Sequence, residues 1–176
     1  MKLKHIIIIL LIAAALTIGY VYFKKVKDAG DSLRPEYDHF RPTDSGWALK
    51  ALMGGFTAEI GFKLTNFSTS KFTVNQIKID CYTLDDVLIA SPVKPMTNKI
   101  VIEPNSQPVA NLDYFISKEG VVKLLESVGM DISAWAGVGV NYLKYNKLGL
   151  KIKIKGFVQA EGISILKIPI EEIIDI

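Results

Sequence analysis

Between Phe56 and Leu64 the side-chain polarity flips at every residue. Phe56, Ala58, Ile60, Phe62 and Leu64 are apolar, while Thr57, Glu59, Gly61 and Lys63 alternate with them. A strand turns successive side chains to opposite faces, so this period of two predicts a half-buried strand with one face on a core. A helix would scatter the same residues around its circumference.

The pattern recurs down the chain. Asn66-Phe67-Ser68-Thr69-Ser70 supplies turn chemistry, and a second strand then places Phe72 and Val74 on one parity and Ile77, Ile79 and Cys81 on the other. That parity change near Asn75-Gln76 predicts a β-bulge. Asp85-Asp86 reads as a hairpin turn before Val87-Leu88-Ile89-Ala90. Further strands are expected over Lys99 to Ile102 and Gln107 to Ile116, with Glu103-Pro104-Asn105-Ser106 turning between them. Val121, Leu124, Leu125 and Val128 then follow helical spacing, with Ser117 as cap and Gly129 as stop. Residues 131–146 carry no clear period. Leu148, Leu150, Ile152 and Ile154 alternate with Lys147, Lys151, Lys153 and Lys155, a strand whose lysine comb faces solvent. The last strand, Ile163 to Ile170, contains Pro169, which lacks a ladder donor and belongs on an edge.

The amino-terminal part has a different character. From Ile6 to Phe23 the chain is uncharged and largely apolar, closed by lysines at both ends. Eighteen such residues at about 1.5 Å each nearly cross a hydrocarbon core. A cleaved signal peptide is the rival reading, with Ala13-Ala14-Ala15 as its cleavage site, but the apolar run continues past it. Residues 1–27 are therefore expected to form a retained transmembrane anchor that meets membrane lipid through residues 6–23. The domain is expected outside the cytoplasm, because large domains are exported largely regardless of charge. Five of the 21 basic residues lie in the anchor flanks and none of the 18 acidic ones precedes Asp28, so the remainder carries 16 basic against 18 acidic residues. A net −2 beyond the anchor gives nucleic acid no basic face to bind.

Residues 28–46 read as a linker and 47–176 as the β-rich domain. Within the linker, Tyr37 and Phe40 stand between two Arg-Pro pairs as a possible contact strip for a protein partner. Asn66-Phe67-Ser68 fits a glycosylation sequon.

Chemistry is thinly provided. The histidines, His5 and His39, fall in the anchor flank and the linker, and the single cysteine, Cys81, sits among strand residues as a structural thiol. Asp85-Asp86 lacks a histidine or third acid beside it in sequence, and Gly137-x-Gly139 lacks the rest of a phosphate loop. The expectation is no enzyme, no metal, no cofactor and no small-molecule substrate. Two functions fit: a non-catalytic binding or protective module at a membrane, or a structural subunit of a larger membrane or virion assembly.

From about residue 50 to 174 the order of features resembles the type 2 late embryogenesis abundant family, whose module is also called the water stress and hypersensitive response domain. Leu64-Thr65-Asn66 resembles its first strand running into an Asn-Pro turn, with Phe67 in place of the proline. Leu88-Ile89-Ala90-Ser91 is similar to the segment after its acidic turn, and Ile168-Pro169-Ile170 to its closing strand. The resemblance marks Asn66 and Pro169 as family-like positions. It implies a seven-stranded immunoglobulin-like antiparallel sandwich with one short helix, no cofactor, no catalytic residues, and a tie to stress response.

Overall fold

A computed structural model describes residues 16, 17, 20, 21, 31–96, 98–161 and 165–176, with backbone alone at 165 and 166. The expected anchor over 6–23 falls outside the described residues except for Leu16, Thr17, Tyr20 and Val21, and among the described residues no helix is long and apolar enough to cross a membrane.

Among the described residues, eight strands form two antiparallel sheets. One holds β1 (Leu33–Pro42), β2 (Gly55–Asn66) and β6 (Val109–Ser117) in the order β1-β2-β6. The other is built on β3 (Phe72–Tyr82), β7 (Lys151–Glu161) and β8 (Ile165–Asp175), while β4 (Leu88–Ala90) and β5 (Ile100–Ile102) share the far edge of β3. The alternating residues of β2 point inward as expected, with Ile60, Phe62 and Leu64 fully buried. The β3 register shifts between Val74 and Gln76, so both Phe72 and Ile77 reach the core despite their opposite parity. After β4 the chain leaves this sheet and bridges to the other, pairing Pro92 with Tyr114 and donating Val93 N to Asp113 O at 2.8 Å. The Tyr114 hydroxyl ties the layers again by donating to Ile79 O at 2.8 Å, and burial pushes its pKa upward.

Two expectations need correction. The stretch read as linker holds β1, a ten-residue strand paired along β2 from Leu33↔Asn66 to Pro42↔Ala58. A register shift between Tyr37 and His39 breaks its period, which is why no alternation shows in the sequence. Also, instead of one helix, three α-helices are described: α1 (Trp47–Met53), α2 (Lys118–Glu126) and α3 (Trp135–Tyr145), with a 3-10 turn at Ile132–Ala134. The expected cap on α2 is present, since the Ser117 hydroxyl accepts from Gly120 N at 3.1 Å.

All three helices gather at one end of the sandwich. Gly55 (φ +137°) makes this possible between α1 and β2, because a Cβ there would strike Ile116 O and the Phe115 ring. The other end holds the start of β1, about 33 Å away along a ten-residue strand.

Candidate functional site

At the β1 entry, Asn66 is fully buried and fastens two segments, 68–70 and 102–106. Its Nδ2 donates to Ser70 O (2.8 Å), Glu103 O (3.2 Å) and Ile102 O (3.3 Å), while its Oδ1 accepts from Ser68 N (2.9 Å) and Ser68 Oγ (2.8 Å). Its backbone joins in, with Asn66 N donating to Ser106 O and Asn105 N to Asn66 O. This family-like position is a structural knot. The sequon reading fails in the folded chain, since the nitrogen that would carry a glycan is enclosed and engaged. Pro169 lies in β8, which among the described residues pairs only with β7, so it occupies the edge position the sequence requires.

The contact strip expected at Tyr37 and Phe40 is only partly at the surface. Phe40 is 5% exposed and belongs to the core, because the β1 bulge turns it inward; a partner cannot reach it without opening the sheet. Tyr37 is half-buried, and desolvation, helped by Asp38 and Asp175, pushes its pKa up to about 12. A cleft of about 580 Å³ opens between β1 and β8 beside it, with Arg34, Glu36, Glu171 and Glu172 on its walls. A smaller one of about 330 Å³ lies against β3 where the 91–99 crossover departs, lined by Lys78, Asp80 and Ser91.

Polar groups that could have carried chemistry are dispersed. His39 lies over Gly61, its Nδ1 2.8 Å from Asp38 Oδ2 and its Nε2 3.3 Å from Glu59 Oε1. Arg41 also donates to Glu59, at 2.7 Å. The Asp38 hydrogen bond outweighs desolvation and raises the His39 pKa, while the same contact lowers that of Asp38. Among the described residues the His39 ring nitrogens meet the Asp38 and Glu59 carboxylates and no hydroxyl or thiol. Cys81 is buried, and desolvation holds its thiol protonated. Asp86, at a turn with φ +64°, meets Lys153 and Lys155 at 2.8 Å each, and Lys155 also reaches Glu171 at 3.1 Å. The lysine comb therefore spends much of its charge within its own sheet. Among the described residues no group of three metal-ligating side chains assembles.

What remains is apolar surface at the helical end, which sequence reasoning missed. There Trp47 packs edge-on against Trp135 and Tyr142, at centroid distances of 5.6 and 5.3 Å, and tilts over Phe56. Trp135 is buried, and its Nε1 donates to Ala48 O at 2.8 Å, fixing α3 to α1. Ala48 and Gly139 are the crossing point, where even a Cβ on Gly139 would come within 3.4 Å of the Ala48 methyl. One to five residues past that crossing stand Leu49 (65% exposed), Met53 (76%), Val140 and Leu143 (84%). In sequence, the spacing of Leu49 to Met53 and of Val140 to Leu143 was the available signal.

No protein-family model matches the chain, and no curated protein matches it. Solved structures do. One from Archaeoglobus fulgidus matches at 9% identity over 82% of this chain and 95% of its own, with a TM-score of 0.39. A Bordetella pertussis structure described as ApaA matches at 8% identity over 82% and 93%, with a TM-score of 0.46. An Arabidopsis thaliana solution structure matches at 9% identity over 82% of each, with a TM-score of 0.38. At scores below 0.5 these likenesses carry no inference about function. The class the chain itself defines is a β-rich, two-sheet sandwich with a helical end.

Proposed function

We propose that this chain is a non-catalytic binding module, held at a membrane by residues 6–23 and acting through its helical end. The observation that carries this reading is the apolar surface at Leu49, Met53, Val140 and Leu143, left open beside helices whose inner faces are fully packed. Large apolar side chains left exposed in this number on two neighbouring helices cost solubility and mark a contact site. Among the described residues the polar side chains are taken up locally, His39 by Asp38 and Glu59, and Lys153 and Lys155 by Asp86 and Glu171. The resemblance to the type 2 late embryogenesis abundant family adds the finer expectation of an immunoglobulin-like arrangement and a role in stress protection.

Flotation tests the anchoring. The full chain should rise with neutral phosphatidylcholine vesicles and resist extraction by high pH and salt. Release under those washes would refute the anchor. A variant with His39, Cys81, Asp85 and Asp86 all changed to alanine should keep its cellular phenotype if folded, whereas loss from Asp85→Asn alone would refute the non-catalytic reading.

A further inference from the structure

The helical end carries a charge pattern as well as an apolar one. No acidic residue occurs at 45–58 or at 132–160, so α1 and α3 are free of negative charge. Lys144 and Lys147 stand exposed at the end of α3, next to Leu143 and to Tyr145, which is also exposed. Lys50 is taken by Asp44 at 2.8 Å, the acids of α2, Glu119 and Glu126, are balanced by Lys118 and Lys123, and Asp131, between α2 and α3, accepts from Ser133 N and Oγ. Exposed aliphatic side chains, a tyrosine and unpaired lysines at this one end of the sandwich are the composition of helices that lie in a lipid headgroup layer.

We infer that the helical end docks on an anionic lipid bilayer. A second copy of the chain fits poorly, because it would bring the same lysine-bearing surface to itself, and neither α1 nor α3 has an acid to answer Lys144 and Lys147. An acidic peptide would need a groove, and the clefts described above lie elsewhere, between β1 and β8 and along β3. Position adds a consequence. The apolar run ends at Phe23, close in sequence to Leu33, and Leu33 begins β1 at the end remote from the helices. An anchor on that side presents the helical end to an apposed membrane, so the chain would link two bilayers. That arrangement rests on the anchoring proposed above; the lipid affinity of the helical end does not.

The test uses the full chain in neutral phosphatidylcholine vesicles, mixed with dye-labelled vesicles containing phosphatidylserine and read by capture. Labelled vesicles should be captured, and less so at high salt. Lys144→Gln with Lys147→Gln should weaken capture about thirtyfold, each lysine near an anionic surface contributing about 1 kcal/mol. Leu49→Ser with Leu143→Ser should abolish it without lowering the melting temperature, while Val101→Ser, exposed on β5, should leave it intact. Equal capture of neutral labelled vesicles would overturn the inference. So would clustering of chain-bearing vesicles with one another in the absence of anionic lipid, which indicates a second copy, or binding to polyglutamate with none to lipid, which indicates an acidic protein. If the chain fails to stay with its own neutral vesicles, the anchoring fails separately, and co-sedimentation of the same chain with phosphatidylserine vesicles still decides the lipid affinity.

Discussion

Replacing Asn66 with alanine should cost this domain a sizeable share of its stability. The substitution removes one amide whose two N–H hydrogens are shared among three carbonyls and whose oxygen accepts from Ser68 N and Oγ. The bonds do not weigh equally. Those to Ser70 O, Glu103 O and Ser68 are partly open to solvent, so water can take over and each loss is near the net value of about 1 kcal/mol or less. The bond to Ile102 O is buried, and a stranded carbonyl there adds about 1–3 kcal/mol. The expected total is about 3–5 kcal/mol against a usual stability of about 5–15, because the loops at 66–70 and 103–106 lose their common fastener. Asn66→Asp should do more damage, since it puts a carboxylate against those carbonyls, and Ser68→Ala should cost under about 1.5 kcal/mol. Urea unfolding in mild detergent, followed by far-ultraviolet circular dichroism, measures all three as midpoint shifts at constant slope. A loss below about 1 kcal/mol for Asn66→Ala would show that the loops hold without the amide and refute the reasoning.

Three further outcomes follow from the packing. Gly156→Ala should prevent stable pairing of β3 with β7, since its Cβ would overlap the Lys78 carbonyl and the Ile79 Cα; thermal melting should find it far less stable than Gly137→Ala, where nothing lies within 4 Å. His39 has a raised pKa when folded, so the stability it adds is complete below its ordinary value near 6.5 and fades as pH rises through the raised value. Melting temperature in wild type should therefore decline over that window, slightly because the group is exposed to solvent, and His39→Gln should remove that part of the slope. Cys81, buried with its thiol pKa raised, should react with a maleimide only after denaturant is added.

Where burial on one face governed the sequence, the structure was readable from it. β2 and the β3 bulge could be placed because their inward residues are apolar and their outward ones are not. β1 escaped notice for three physical reasons: it is an edge strand, it carries Pro35 and Pro42, and its register slips at Asp38, so its buried residues Leu33 and Phe40 have opposite parities. Short α1 has no side-chain cap, and α3 holds Gly137 and Gly139 inside it, residues that weaken a helix until tertiary contact supports them. The Ala48–Gly139 crossing makes that contact, joining residues far apart in the sequence. The apolar surface of the helical end depends on that same crossing, so it was legible only as spacing, without a partner helix to give it meaning. The docking strip misread Phe40 because an aromatic between charges resembles a surface anchor until the bulge turns it inward.

β1 also determines how the molecule would carry a mechanical load. Its first residue follows the segment proposed as the anchor and its last leads through Thr43–Gly46 into α1, so, under that proposal, a pull between the two travels along this one strand. The strand is already extended and has little slack to release. Because such a pull enters and leaves by the same strand, the covalent backbone of β1 bears it, and the ladder with β2 holds that strand straight. Tension of that kind would reach α1 through a stiff strut of about 33 Å without peeling the two sheets apart.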